Sequence, residues 1–468
     1  MPAARAARDD DNAATSKSLS ATAAQVRMRL VNDSSEGFVY TSASSSLTRP
    51  TVVQQEALFT LPNEIQFLSY LSATERSLLH HFVNEASRIT SCHSHVQKVL
   101  CQLVLPLAAD SPALMYATLA WAGIHSVQQR GMIDNVSNPD AFIAGLKTQS
   151  LSRLRTELER PEKERMNALL ATVRTLCQCE IHSGSDGTST WRVHVEGAKA
   201  IMAAVKNLQL GDGDRSINIR PEERLLYRWY DSLDSLAALT SSGNPANSEN
   251  AIADFEYEMQ PDEIYLDDYN GYYTDLSMLL GKIGLAIRAL REQSTFTGSP
   301  ASMESVANFF ELKLQKMMAR DHNALPKFYP GVIEKLTMQG IYEYALCNES
   351  YQQLALIHIN RRLRSLASRT PVIQASVKKI IECVKAITPA TGSSPLIVMA
   401  TPLFTAGCEA HGEDRDAVKE LLLQLYSSLK IRNIKLALQV LEAYWAREVE
   451  EENWEDILKK RNWDFIPY

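Results

Sequence analysis

Three side chains of the kinds that bind zinc stand within four residues, in Cys92-His93-Ser94-His95. A structural zinc site needs four such ligands in a tetrahedral arrangement, so a fourth would have to come from elsewhere. The sequence contains no C-x2-C or H-x3-H pair that would supply it. We therefore interpret this group as the partly packed or solvated start of a helix, and we expect no metal ion or other cofactor.

Cysteine chemistry is the next candidate. Cys177 and Cys179 are separated by one residue, which is not the C-x-x-C spacing of redox motifs. On a helix the two thiols point to different sides, and at least one lies on the apolar face. The odd number of cysteines and their scatter predict buried free thiols in a reducing compartment; the seven are Cys92, Cys101, Cys177, Cys179, Cys347, Cys383 and Cys408.

His182 and His194 bracket Gly184, Asp186 and Gly187, an arrangement that would suit the catalytic loop of an enzyme. The chain has no G-x-S-x-G nucleophile elbow, no phosphate-binding G-x-x-x-x-G-K-[ST] loop and no strand-borne G-x-G-x-x-G. The GDGD run at 211–214 lacks the downstream ligands of a calcium loop. These segments are predicted to be turns between helices, and the protein is predicted not to be an enzyme.

Paired acidic residues and short basic groups could also carry chemistry or bind a partner. Asp231 and Asp234 lie three residues apart, but Arg224 and Arg228 lie on the same side of the same predicted helix, which favours ion pairs over catalysis. Two short basic groups, 361–364 and 459–461, are either parts of a nuclear import signal or solvated helix faces. The net charge of -7 and the pI near 5.9 disfavour direct DNA binding by the body of the chain.

The elements that would position these residues are helices. Ser72 and Glu75 form a predicted capping box, and Ser111-Pro112 places a cap and a first-turn proline before an apolar stripe. Similar stripes recur to the end of the chain, whereas alternating runs joined by hairpin turns are absent. The expected fold is all-α, a large array of antiparallel helix pairs over residues 58–468. Residues 1–57, rich in Ser, Thr and Ala, are expected to form a disordered tail.

The N-terminus has no apolar core of a secretory signal, and the most apolar stretch, 395–404, is too short to cross a bilayer. We therefore expect an intracellular, soluble protein without a membrane partner.

The order of several segments resembles the regulatory domain of fungal-specific transcription factors, which typically follows a zinc binuclear cluster. The resemblance covers residues from about 58 to the C-terminus. It rests on LVLPLAADSPALMYATLAWAGIH (103–125), LLATVRTLCQCEIHSG (169–184), WRVHVEGAKAIM (191–202), RWYDSLDSLAAL (228–239), YQQLALIHINRRL (351–363), TPLFTAGCEAHGEDR (401–415) and the predicted helix 433–445 followed by Trp454.

The resemblance implies a nuclear transcription regulator of fungal metabolic or secondary-metabolite genes. It further implies other regulators or coactivators as partners, a homo- or heterodimer, and a small-molecule effector. The alternative is a metabolite-binding or adaptor protein without a transcriptional role.

One departure concerns the family's cluster of six cysteines, because residues 1–91 contain no cysteine. Residues 1–50 carry six basic against five acidic residues, so they cannot replace it electrostatically. Two explanations remain open: the protein acts through a DNA-bound partner, or the deduced product lacks an exon.

The TPLFTAGCE stretch is interpreted as structural. Its small residues allow close approach of helices. Phe404, Cys408, Leu441 and Trp445 are expected to share one buried cluster, not an active site.

Overall fold

The computed structural model describes residues 70–159, 165–184, 191–210, 221–239, 264–292, 300–389, 392–447, 454–461 and 465–467. Within these residues the chain forms fifteen α-helices and no β-strand, which confirms the predicted all-α fold. The predicted disordered tail, 1–57, lies outside the described residues, as does the 211–214 run.

The helices are α1 (Ala73–His81), α2 (Ser94–Asp110), α3 (Pro112–Arg130), α4 (Pro139–Leu158), α5 (Met166–Ser183), α6 (Trp191–Leu210), α7 (Pro221–Leu239), α8 (Thr274–Glu292), α9 (Pro300–Asn323), α10 (Met338–His358), α11 (Pro371–Ala386), α12 (Ala400–Glu409), α13 (Glu413–Leu429), α14 (Arg432–Trp445) and α15 (Trp454–Arg461). A π-helical turn, Phe82–Ala86, and a 3-10 turn, Arg88–Thr90, follow α1; a π-helical turn, Ile359–Leu363, extends α10; and a 3-10 turn, Pro395–Met399, precedes α12.

The local signals at two helix starts are confirmed. The Ser72 backbone N–H donates to Glu75 Oε2 at 2.7 Å, and the Glu75 N–H donates to Ser72 Oγ at 3.2 Å. At the start of α3 the Leu114 N–H donates to Ser111 Oγ at 3.3 Å, with Pro112 as the first helical residue. Each cap satisfies N–H groups that have no partner inside the helix, so these starts follow from residues within one turn.

Neighbouring helices pack in sequence, with α3 against α4, α7 against α8, α10 against α11 and α13 against α14. Two hydrophobic cores result. The first core lies mainly among α1 to α9 and includes Trp121 and Trp229; the second lies among α11 to α15 and includes Phe404 and Leu441. The helix α10 contributes to both, with Tyr351 in the first core and Cys347 in the second. It therefore joins the two cores.

The predicted cluster around Phe404 is largely confirmed. Phe404, Cys408 and Leu441 are buried together in the second core. Trp445 packs against them but is only half-buried, with its indole N–H donating to the Gly407 carbonyl at 2.9 Å. A Cβ at Gly407 would lie 2.6 Å from Leu441 Cδ1, so the small residue permits this close approach of α12 and α14.

The apolar 395–404 stretch is a short 3-10 turn followed by the first half of α12. None of the described helices combines the length and the apolar composition that a bilayer crossing requires.

Candidate functional site

The Cys-His group lies at the start of α2, as predicted, but it is more closely packed than a solvated helix end. Cys92 is buried, and its thiol donates to the Tyr269 carbonyl at 3.2 Å. His93 is the N-cap of α2, and its Nδ1 accepts from the His95 backbone N–H at 3.3 Å. His95 Nε2 lies 2.7 Å from Asp268 Oδ2. The motif therefore anchors a distant loop, 264–273, to α2.

The same loop is held by an arginine of α7. Arg228 Nη1 lies 2.6 Å from Asp268 Oδ1 and 3.3 Å from Asp267 Oδ1. Burial alone would raise the pKa of Asp268, but Arg228 and the hydrogen bond from His95 hold that pKa well below its usual range. The sequence interpretation, in which Arg228 serves the acids of its own helix, is wrong on this point. Its carboxylate partners among the described residues come from a segment about 40 residues away, because the loop folds back over α7.

This network contains side chains of the types that bind metal ions, but their polar atoms already form hydrogen bonds and ion pairs within the protein. Among the described residues no group of three His, Cys, Asp or Glu side chains is placed to hold a metal ion. The Asp267 carboxylate also accepts from the backbone N–H groups of Tyr269 and Asn270. The arrangement therefore acts as a clamp that fixes the 267–273 turn.

The clamp determines where Tyr269 and Asn270 point. Tyr344 donates through its hydroxyl to the Asp268 carbonyl at 2.7 Å, and Asn270 Nδ2 donates to the Arg228 carbonyl at 3.3 Å. Gly271 has φ +81, and a Cβ there would lie 2.8 Å from Val398 Cγ2. Only glycine fits this left-handed turn at such close approach to the 3-10 turn before α12.

A cavity opens beside this turn, between the first and the second core. Its empty volume is about 530 Å³, a figure that includes the open solvent at its entrance. Its lining residues come from α5, α7, the 267–273 turn and α10, from the 3-10 turn before α12 and the start of α12, and from the segments before α2 and α14. They are Ile89, Thr90, Gln178, His182, Ser232, Tyr269, Asn270, Tyr351, Ile397, Val398, Ala400, Thr401 and Ile431. We call it the intercore cavity.

Two polar side chains of α5 line the intercore cavity. The Trp121 indole N–H donates to His182 Nδ1 at 3.1 Å, and burial lowers the pKa of His182 to about 3. Since an indole only donates, Nδ1 carries no proton, and the neutral ring keeps its proton on Nε2. Gln178, one turn earlier, is 1% exposed, and its Oε1 has no hydrogen-bond partner. A buried carbonyl of this kind costs free energy unless a donor satisfies it.

Arg174 lies one further turn back on the same face of α5. It is fully buried, and one of its nitrogens, Nη2, donates to the Tyr269 hydroxyl at 3.0 Å. Nε and Nη1 have no hydrogen-bond partner, and no ion pair to Arg174 is found among the described residues. The guanidinium carbon lies 5.9 Å from the ring centres of both Trp121 and Tyr269. A buried cation without an anion is costly, which makes this position an unusual one.

The thiols and the second histidine of the sequence analysis lie apart from the intercore cavity. All seven cysteines are free and buried, as predicted. Burial raises the pKa of Cys177 and of Cys179, so both thiols stay protonated at neutral pH. His194 is buried on α6 and does not line the cavity. Asp186 and Gly187 lie outside the described residues.

The basic group at 361–364 was interpreted from the sequence as part of a nuclear import signal or as a solvated helix face, and the structure differs from both. Arg361 Nε donates to Glu409 Oε2 at 2.7 Å, and Arg362 Nη2 donates to Glu455 Oε1 at 2.7 Å. Arg364 pairs with glutamates of α9. These arginines are half-buried connections between helices and neither a solvated face nor a free import signal. The second basic group, 459–461, is exposed at the end of α15.

A second cavity lies beside these pairs, but its charged groups are balanced. Arg361, Arg362 and Glu409 line it together with Phe404 and Trp454. The two arginines have carboxylate partners within the protein. The TPLFTAGCE stretch therefore packs helices together at this point, in agreement with its structural interpretation.

Sequence reasoning missed Arg174 and Tyr269. A signal for Arg174 was present, because it is a lone charge inside the apolar run LLATVRTLCQC. Charged residues are rarely buried without a partner, so such a position points to function. Tyr269 had no comparable signal, since its place depends on the clamp at Asp267 and Asp268.

Comparison with known proteins gives one result. A family model described as "Fungal specific transcription factor domain" matches residues 77–468. The match begins inside α1 and extends through both cores and the intercore cavity. No curated protein and no solved structure matches the chain.

Proposed function

The chain belongs to the family of fungal-specific transcription factor domains, and on that premise we propose that it regulates transcription in the nucleus through its helical domain. The observation that carries the proposal is the family match over 77–468, which includes both cores. This is not an enzyme family, and we propose a role without catalysis. Metabolic or secondary-metabolite genes are the proposed targets.

We further propose that the chain reaches promoters through a DNA-bound partner, such as another regulator or a coactivator complex. The charge of the chain supports this, because a net charge of -7 offers no general attraction to phosphate. Residues 1–91 also contain no cysteine, and the first one, Cys92, lies at the start of the helical body. Self-association into a homo- or heterodimer is compatible with this role.

A tethering experiment tests the regulatory role. The chain is fused to a bacterial DNA-binding domain and expressed in a fungal host with a reporter that carries the matching operator. We expect a several-fold change in reporter output that requires the operator. The DNA-binding domain alone, and the fusion with an operator-less reporter, are the controls. Unchanged output with a fusion that is expressed and nuclear would contradict the proposal.

Localisation and promoter contact are tested with the untethered chain. A fluorescent fusion is expected in the nucleus, and chromatin immunoprecipitation is expected to recover discrete promoters. The purified chain alone is expected not to shift those promoter fragments in a gel assay, whereas a nuclear extract restores the shift. A specific shift by the purified chain alone would refute the need for a partner.

A second candidate function is a metabolite-binding or adaptor protein without a transcriptional role. The intercore cavity favours it, because apolar and polar side chains from both cores converge there around one opening, as they do in small-molecule sites. The tethering experiment separates the two candidates. An adaptor of this kind leaves the reporter unchanged, whereas a regulator changes it.

A further inference from the structure

We propose that the intercore cavity binds a small organic carboxylate whose charge is balanced by Arg174. The inference deepens the proposed regulatory function by naming the chemical class of an effector, and it rests on that function only for its biological meaning. Binding itself is a property of the purified protein.

The first step concerns Arg174. Its guanidinium is fully buried, has two nitrogens without partners and has no ion pair among the described residues. Buried cations in proteins are normally paired, because desolvation of an isolated charge is expensive. The two rings beside it offset only part of that cost. The missing partner is therefore an anion that the described residues do not supply.

The second step connects Arg174 to the intercore cavity. Tyr269 lines the cavity, and its hydroxyl oxygen accepts a hydrogen bond from Arg174 at 3.0 Å. That bond uses a lone pair, so the hydroxyl proton is left to donate to a further acceptor, and a ligand in the cavity would supply that acceptor. Arg174 itself does not line the cavity, so its charge would act on the ligand through the Tyr269 hydroxyl. A carboxylate is favoured over a neutral acceptor, because the positive charge strengthens the hydrogen bond to an anion.

The third step concerns Gln178. Gln178 lines the cavity, and its buried Oε1 has no hydrogen-bond partner among the described residues and can only accept a hydrogen bond. Arg174 and Gln178 are four residues apart on α5, which corresponds to a rise of about 6 Å along the helix. A ligand that carries a hydrogen-bond donor as well as its carboxylate would satisfy both Gln178 and Tyr269. The rest of the wall mixes polar side chains with apolar ones, and the apolar ones include Ile89, Ile397 and Ile431. A hydrocarbon body between the two polar groups of a ligand can lie against these isoleucines.

Because the cavity lies between the two cores, a ligand bound there affects how the cores are arranged. Tyr269 and Tyr351 belong to the first core, whereas Ala400 and Ile431 belong to the second. A ligand that contacts both sides stabilises the arrangement of the two cores in which the cavity is formed. Such a ligand would act as an effector by changing the population of that arrangement.

The test compares 4-hydroxybenzoate with its neutral analogue 4-hydroxybenzamide and with benzoate, and acetate with acetamide. The aromatic probe carries a hydroxyl donor at the opposite end of the ring from its carboxylate, and the wild-type protein is expected to prefer it to benzoate. Dissociation constants are measured with the purified full chain by ligand-observed NMR, at probe concentrations up to about 10 mM. We expect the wild-type protein to bind 4-hydroxybenzoate at least about tenfold more tightly than the amide, as a charge-assisted hydrogen bond provides.

Three variants place the effect in the cavity. Arg174→Met is expected to abolish the preference for the acid, and Tyr269→Phe to reduce it while keeping the ring. Gln178→Leu is expected to keep the preference for acid over amide but to lose the preference for 4-hydroxybenzoate over benzoate. Arg153→Met, which removes an exposed arginine of α4, is the control and should behave as the wild type.

The proposal is overturned if neither carboxylate binds, if acid and amide bind equally, or if Arg174→Met keeps the preference for the acid. Thermal unfolding of each variant shows whether it is folded. If Arg174→Met does not fold, the Tyr269→Phe and Gln178→Leu variants decide whether the cavity binds the carboxylate. Wild-type affinities in both of these variants would also overturn the proposal. Failure here leaves the tethering result untouched, so the two proposals fail separately.

Discussion

Replacing Arg174 by methionine should stabilise the unliganded protein, although the change removes a hydrogen bond and two ring contacts. The bond to the Tyr269 hydroxyl involves a charged donor and contributes about 1.5–3 kcal/mol. The Trp121 and Tyr269 ring centres are both 5.9 Å away, near the limit of about 6 Å, so each contact adds only about 0.5 kcal/mol. These contributions favour the arginine.

The free-energy costs of burying the guanidinium are larger than these contributions. Nε and Nη1 are buried without partners, and each such donor costs about 1–3 kcal/mol. Desolvation of the charge itself, without a carboxylate, costs several kcal/mol more. Methionine has similar length, no polar atom and enough flexibility to fill the space beside the two rings. We expect a net gain of about 1–3 kcal/mol in the free energy of unfolding, the range seen when buried charges are replaced by apolar residues.

The assay is thermal unfolding followed by circular dichroism, in a buffer free of carboxylate and phosphate. For a domain of this size the expected gain corresponds to a rise in Tm of about 1–4 °C. Arg153→Met should change the free energy by less than about 0.5 kcal/mol, because that side chain is exposed. A Tm that falls by more than about 2 °C in Arg174→Met, with an unchanged control, would refute the reasoning. It would mean that the guanidinium is satisfied within the protein.

Three further outcomes are expected. Phe404→Ala should lower the free energy of unfolding by about 3–5 kcal/mol in urea titrations and reduce abundance in cells; a folded, abundant variant that no longer supports reporter activation would mean that this stretch is a contact surface. Gly407→Ala should cost about 1–3 kcal/mol by the same titration, because its Cβ would lie 2.6 Å from Leu441 Cδ1, and an unchanged midpoint would show that α12 and α14 separate freely. Burial lowers the pKa of His182 to about 3 and that of His125 to about 4, so the unfolded chain binds more protons than the folded one below pH 6.5. Stability should therefore fall as pH drops from about 6.5 towards 4, and a flat Tm over that range would contradict the burial of neutral rings.

Local features of the sequence determined where several helices begin. Ser72 with Glu75, and Ser111 with Pro112, predicted caps that the structure contains. These signals are reliable because a cap needs only residues within one helical turn, and the apolar stripes need only the helical period. The order of such segments along the chain was also sufficient to indicate the family.

Tertiary structure alone decided which charges meet. Arg228 pairs with Asp267 and Asp268 and not within its own helix, because the loop after α7 folds back over it. Arg361 and Arg362, read as a solvated face or an import signal, form half-buried ion pairs with Glu409 and Glu455. Helical spacing defines the face on which a charge lies, but not what packs against that face.

The intercore cavity depends on the same long-range packing. Tyr269 reaches Arg174 across 95 positions of sequence, through a turn that is held by α2, α7 and α10. Among the residues that the structure describes, no anion lies beside Arg174. That is a property of everything packed around the side chain, and a linear pattern does not contain that information. Sequence therefore determined the helices and the family, whereas only the packing of distant helices produced a buried, unpaired cation beside a cavity, because electrostatic satisfaction depends on neighbours in space.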